Sequence, residues 1–286
     1  MLRLLRAKQW TKNLLLFAAL VFAQRLFDPH AFLTACVAFA AFCLASSSVY
    51  VVNDLVDVER DRRHPHKHDR PIASCQVSPG AATGLAALLT AGALAIAWGL
   101  GWPFTAAIVA YMTLTHFYSF VGKKLAVFDI LLIALGFVLR AVACALAIGV
   151  PYSDWFVLCT FFVALFIAVA KRRAELETAV EGSSTRPVLD DYTHDSLAAF
   201  GITAMAASVI SYSLWVQDEL EHAGGEPRML LFTVPFVILA IFRYQLLVER
   251  GEAGERPEET LLTDRPIQLS ILGFALVAVA AFYLAR

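Results

Sequence analysis

Apolar runs of about 20 residues recur along the whole chain, and each is long enough to cross about 30 Å of hydrocarbon as a helix. Transmembrane strands would alternate apolar and polar residues over segments of about ten, and these runs do not alternate. Composition agrees: 59% of the residues are hydrophobic and 16% charged, with a mean hydropathy of +0.67. Soluble domains carry about 45–50% apolar and about 25% charged residues. An all-α polytopic membrane protein is expected, as one integral-membrane domain over residues 1–286. Nine spans are expected, near 14–28, 32–52, 81–99, 104–120, 127–148, 155–170, 197–215, 229–248 and 268–284. The basic stretch before the first run resembles the start of a signal peptide. No small-x-small cleavage site follows Ala23, however, so the run is read as a retained span. The five cysteines show no CxxC spacing and four lie inside apolar runs, so neither a disulfide framework nor a structural zinc site is expected.

Charge is distributed unevenly among the loops. One alternating set holds eighteen Lys and Arg residues, from Arg3, Arg6, Lys8 and Lys12 to Arg250, Arg256 and Arg265. The other set holds Arg25, Arg228 and Arg286. The positive-inside rule places the N-terminus and the basic loops in the cytoplasm, and nine spans then put the C-terminus outside. The loops on the basic side, 53–80, 171–196 and 249–267, are long and polar, which favours a functional role.

The acids need a separate account. Asn53, Asp57 and Asp61 fall at i, i+4 and i+8 where the second span runs out, and Asp54 joins Asp57 and Asp61 through i+3 and i+7. On a continuous helix these share a face about a turn apart. Like charges there repel and are costly near a membrane, and a hard divalent cation answers both problems. Mg²⁺ takes oxygen ligands, usually one or two carboxylates with substrate phosphates, and Mn²⁺ is a possible substitute. A solvated helix end with acids and arginines paired is the plainer alternative. His64, His66 and His68 stand at i, i+2 and i+4 beside prolines, which is poor geometry for zinc. Lys67 and Arg70 read better as phosphate holders, Lys as a point charge and Arg as a planar fork. Lys171 with Glu175 and Arg173 with Glu177 are i, i+4 pairs on a helix, and ordinary ion pairing explains Arg173 and Glu177. Arg140 lies deep in the fifth span and should face the interior and meet an anion or an acid. Arg243 lies nearer its helix end and should snorkel.

Asn53-Asp54-x-x-Asp57-x-x-x-Asp61 resembles the first aspartate-rich motif of the UbiA-type membrane prenyltransferase superfamily, whose members are bundles of nine helices. The longer string NDLVDVERDRRHPHKHDRPIAS resembles the decaprenyl-phosphate phosphoribosyltransferase branch. So do Gln9-Trp10-x-Lys12-Asn13, Phe137-Val-Leu-Arg140-Ala, Lys171-Arg172-x-x-Glu175 and Thr263-Asp264-Arg265, so that nearly the whole chain is covered. One departure matters: the place of the superfamily's second aspartate-rich motif is held by Lys171-Arg172-Arg173-Ala-Glu175.

The resemblance implies transfer of 5-phosphoribose from phosphoribosyl diphosphate to a polyprenyl phosphate at the plasma membrane. The product, polyprenylphosphoryl-5-phosphoribose, would serve cell-envelope polysaccharide synthesis. Mg²⁺ on Asp54, Asp57 and Asp61 would stabilise the leaving diphosphate, with Asn53 orienting the site and Lys67 and Arg70 adding charge. Lys8, Lys12, Asn13, Arg140, Lys171 and Arg172 are candidates for holding the lipid phosphate or the 5-phosphate. Glu175, Tyr118, Tyr192, Asp190 and Asp191 are further candidates that loop or helix-end roles explain nearly as well. No nucleic acid is expected as a partner. Two rivals remain: prenyl transfer from an allylic diphosphate to a small aromatic acceptor, and a transporter or lipid-binding protein without chemistry. A transporter predicts midplane polar residues and inverted repeats, and neither is visible in the sequence.

Overall fold

A computed structural model describes residues 4–63, 68–178, 187–222, 228–254 and 257–284. Its α-helices run Ala18–Phe22 (α1), Pro29–Val56 (α2), Val58–Arg63 (α3), Pro79–Leu100 (α4) and Trp102–Phe120 (α5). They continue with Phe128–Ile148 (α6), Asp154–Thr178 (α7), His194–His222 (α8), Val234–Glu249 (α9), Pro257–Thr263 (α10) and Arg265–Val279 (α11). Among the described residues there is no strand. Among the described residues, eight helical segments are long and apolar enough to cross a membrane. The first expected span, 14–28, takes a different form. A 3₁₀ helix covers Ala7–Phe17 and only the five residues of α1 follow.

That N-terminal segment shows why it winds tightly. A 3₁₀ helix eclipses side chains at every third position. Trp10, Asn13 and Leu16 therefore form one row, and Asn13 and Leu16 are fully buried. Trp10 Nε1 donates to Ser47 Oγ at 3.0 Å and Asn13 Nδ2 to Ser46 Oγ at 3.3 Å, both on α2.

Several helices start on a capping residue beside proline, which lacks the N–H that a first turn leaves unpaired. Asp28 Oδ1 accepts from the amides of His30 and Ala31 ahead of α2. Ser78 Oγ accepts from Ala81 N ahead of α4, and Asp264 Oδ1 from Ile267 N ahead of α11.

Contacts divide the chain into two compact units, Met1–Val121 with Leu139–Tyr152, and Gly122–Val138 with Ser153–Arg286. The first unit is built on α2 and α4. Small residues line both helices (Ala38, Ala41 and Ala45 on one, Ala82, Ala86, Ala93 and Ala97 on the other), which lets their backbones approach. Ser48 Oγ donates to Ala86 O at 3.0 Å and shares a hydrogen bond with Thr90 Oγ1 at 2.7 Å. The second unit has one cluster around Phe166, Tyr244 and Val248 and another around Ile130, Val169 and Leu197. Large apolar side chains such as Leu88, Trp98, Leu239 and Leu276 stay exposed, as lipid-facing positions must.

Candidate active site

The acid face lies in the first unit. α2 ends at Val56 with Asp57 as its C-cap (φ −90°, ψ 7°), and α3 restarts at Val58. Asp57 alone separates the two helices, and the bonds from Asp57 N to Asn53 O (2.9 Å) and from Asp61 N to Asp57 O (2.8 Å) carry the i, i+4 pattern across it. Asp54 and Asp61 are each 3% exposed. Arg70 Nη1 donates to Asp54 Oδ1 at 3.1 Å and to Asp61 Oδ2 at 2.6 Å. Arg6 Nη2 donates to the same Asp54 oxygen, and its guanidinium lies 5.0 Å from the centre of the Tyr50 ring. Two carboxylate oxygens therefore converge within 3.1 Å of a single nitrogen. On a straight helix the two Cα atoms would stand about 10.5 Å apart. Asp57 has Arg60 Nη1 at 3.8 Å. Beside the pair, Asn53 Oδ1 is buried with no hydrogen-bond partner among the described residues.

These groups suit a hard cation in chemistry. Two converging carboxylates and an unpartnered amide oxygen are the oxygen donors that Mg²⁺ takes, alongside water and phosphate. Among the described residues no three His, Cys, Asp or Glu side chains are gathered to hold an ion. Asp54 and Asp61 are the pair in place, and Arg70 lies between them. Of the histidine run, His68 is exposed and lies 3.3 Å from Asp69. His64, His66 and Lys67 fall outside the described residues.

Other expected residues of this unit divide into exposed and buried. Lys8 is exposed, and Lys12 and Tyr118 are half-buried. Arg140 is 7% exposed. Its Nε donates to Asn13 Oδ1 at 2.9 Å and its Nη2 to Tyr111 OH at 2.8 Å. Asn13, expected near substrate, is thus a fully buried bracket between α2 and Arg140, and an amide and a phenol stand among the partners where an anion or acid was expected. Arg6 and Tyr111 were not foreseen in these roles. The need of two buried acids for a second cation was the available signal for Arg6.

The second unit holds the rest, in a buried network that also changes their reading. Arg172 is 1% exposed and Asp129 fully buried. Arg172 Nε donates to Asp129 Oδ2 at 2.6 Å, and Nη1 donates to Glu175. Tyr192 OH donates to Asp129 Oδ1 at 2.5 Å and accepts from Val127 N at 2.7 Å. Burial and then the adjoining Asp129 carboxylate push the Tyr192 phenol up, which keeps it a donor. Val127 itself sits at φ +68°, left-handed backbone that a β-branched residue rarely adopts. Arg172, Glu175 and Tyr192, expected as substrate contacts, meet in this network at the turn into α6. Their hub, Asp129, went unforeseen because a lone acid at a helix start reads as dipole compensation. Lys171 is half-buried, and Asp190 and Asp191 are exposed. Arg243, expected to snorkel, makes a two-pronged bond to Asp264, with Nε and Nη2 at 3.1 and 2.8 Å from Oδ2.

Known proteins resemble the chain over almost its full length. Residues 14–258 match the UbiA prenyltransferase family. A decaprenyl-phosphate phosphoribosyltransferase of Corynebacterium glutamicum is 37% identical over 290 residues, covering 99% of this chain and 87% of that protein. The protein of the same name from Mycolicibacterium smegmatis is 37% identical over 295 residues, covering 99% and 92%. A UbiA homolog from Archaeoglobus fulgidus, solved bound to DMAPP and Mg²⁺, superposes with a TM-score of 0.72 at 20% identity, covering 98% of each chain. Fold, motif and full-length likeness agree, and the chain belongs to the UbiA prenyltransferase family.

Proposed function

We propose that this membrane enzyme transfers 5-phosphoribose from phosphoribosyl diphosphate to a polyprenyl phosphate. The observation that carries the reading is the 37% identity with decaprenyl-phosphate phosphoribosyltransferases over 99% of the chain. An oxygen of the lipid phosphate attacks the anomeric carbon, the bond from that carbon to the diphosphate oxygen breaks, and diphosphate leaves. Positive charge develops on the ribose ring and negative charge on the leaving group, so charge placement and positioning lower the barrier. The lipid phosphate is already ionised and needs no general base.

This chain's residues supply the charge. Arg70 and Arg6 stand at the mouth of the acid pair, 28% and 25% exposed, within reach of a diphosphate. Asp54, Asp61 and the Asn53 amide oxygen are the groups that would hold a divalent ion, with Asp57 a further acid one helical turn from each. Such an ion, when bound, neutralises the leaving diphosphate. Lys8 and Lys12, on the same unit, are the bases proposed for the lipid phosphate, and Lys67 joins them on sequence alone. The plasma membrane, with the N-terminus and this face cytoplasmic, is the proposed setting, and the product would enter cell-envelope polysaccharide synthesis.

Prenyl transfer to an aromatic acceptor gains no support from the residues. At the position of the second acidic motif, Arg172 and Glu175 bond one another. Membranes containing the chain, given ribose-labelled phosphoribosyl diphosphate and polyprenyl phosphates of several lengths, should move label into lipid with release of diphosphate. Asp61→Asn should abolish that transfer while inserting normally. Label that stays water-soluble, with prenyl diphosphate and an aromatic acid yielding product instead, would refute the proposal.

A further inference from the structure

The acid pair is already charge-compensated, and the compensating group stands where an ion would have to go. Arg70 Nη1 touches one oxygen of each buried carboxylate, while its own side chain keeps 28% exposure against 4% for theirs. The guanidinium is thus the solvent-side cover of Asp54 and Asp61. Two buried carboxylates need such a cover when nothing else neutralises them.

The backbone beneath Arg70 is fixed. Its carbonyl accepts from Ser74 N and from Ser74 Oγ, both at 2.8 Å, and Val77 N bonds Pro71 O at 3.0 Å. Ile72 and Ala73 are buried, and Arg62 Nε ties α3 to Ala73 O at 3.2 Å. Only the side chain is placed to move. Arg6 differs, because it also lies over the Tyr50 ring and touches Asp54 alone.

We infer that Arg70 is an internal competitor for the divalent ion on Asp54 and Asp61, displaced from the carboxylates when the ion binds and then free to take a phosphate oxygen of the donor. The inference rests on the reading above that this pair is the metal site. Guanidinium and a divalent cation cannot share the same two oxygens without strong repulsion. Removing the arginine therefore has opposite effects on two ligands. It favours the bare ion, which loses a rival, and disfavours the ion with its diphosphate, which loses a bidentate partner. Coupling of this kind usually spans about 5–150-fold in affinity.

The test uses the purified full-length chain in detergent, with Mn²⁺ as probe and free Mn²⁺ read by electron paramagnetic resonance. Arg70→Gln is expected to bind Mn²⁺ about tenfold more tightly than the unmodified protein. It should bind a preformed Mn²⁺–diphosphate complex, followed by radiolabelled diphosphate in equilibrium dialysis, at least about fivefold more weakly. Arg60→Gln, which removes an equal charge beside Asp57, should shift Mn²⁺ affinity less than about twofold. Equal or weaker Mn²⁺ binding by Arg70→Gln, with binding by the unmodified protein intact, overturns the inference and leaves the metal reading standing. No Mn²⁺ binding by either protein overturns the metal reading and the inference together. If Arg70→Gln does not fold, Arg70→Lys serves, since a more strongly hydrated ammonium competes less well for buried carboxylates than a guanidinium. Mn²⁺ affinity raised about threefold supports competition, and unchanged affinity overturns it.

Discussion

Replacing Arg172 with methionine separates a structural arginine from a substrate-binding one. The pair it forms with Asp129 is 1% and 0% exposed, with a bond of 2.6 Å. Arg172→Met leaves a buried carboxylate supported by the Tyr192 hydroxyl, a situation that costs about 3–5 kcal/mol. Glu175 is 20% exposed and can turn to water, so it adds little. Adding Asp129→Asn removes the stranded charge and should return most of the loss, leaving a deficit of about 1–2 kcal/mol for hydrogen bonds not remade. Denaturation in mixed micelles, followed by tryptophan fluorescence, reads both values. The double variant should then keep its KM for phosphoribosyl diphosphate within about threefold of the parent, which corresponds to well under 1.4 kcal/mol. The reasoning fails if Arg172→Met costs less than about 1 kcal/mol or if the double variant is no more stable than the single. A KM raised more than tenfold in a stable double variant would return Arg172 to the substrate.

Val127→Gly should stabilise the second unit by about 0.5–1 kcal/mol: left-handed backbone costs a branched residue about 1–2 kcal/mol, and glycine's looser unfolded chain offsets part of that gain. Gly254→Ala should destabilise by about 1–3 kcal/mol, because its Cβ would lie 2.7 Å from Ala174 Cβ and 3.0 Å from Ala170 O, at φ +120°. For Asp264, the Arg243 bond holds the carboxyl below the ordinary carboxylate range. Its contribution to stability is complete above the unfolded value of about 3.9 and is lost as pH falls through the lower folded value. The Tm gap between the parent and Asp264→Asn should accordingly be flat from pH 8 to about pH 5 and close below about pH 4.

Helices were legible because a membrane enforces them: backbone groups in hydrocarbon must bond within their own segment, so apolar runs map directly onto spans. The segment at 14–28 escaped that logic. Its organising row of Trp10, Asn13 and Leu16 has a period of three and begins among polar residues, where hydropathy carries no signal. The acid face was legible as a composition and imperfectly as a geometry. Spacing places Asp54 and Asp61, seven apart, on one helix face, but it does not say which cation their carboxylates meet. The partners of buried arginines were the least legible. Asn13 lies 127 positions from Arg140, and Tyr192 lies 63 from Asp129. No local periodicity encodes such distances, and only the demand that a buried charge be satisfied points toward them.

Exposure decides which of these charge clusters can take part in chemistry. Arg172 and Asp129 are sealed at 1% and 0% exposure, so separating them would strand two already desolvated ions within the protein. The energetic cost is several kcal/mol, and nothing in their surroundings would repay it in a catalytic cycle. The acid pair of the first unit has buried acceptors and donors that are a quarter exposed. Its arginines can leave for water or phosphate at far lower cost, because their charge remains solvated or paired throughout. A site that must exchange a resident cation for a substrate needs this asymmetry, with the anions fixed and the cations at the surface. A network that only braces a turn needs both members buried. The two clusters carry similar residues, and exposure is what separates the one proposed for reaction from the one that braces a turn.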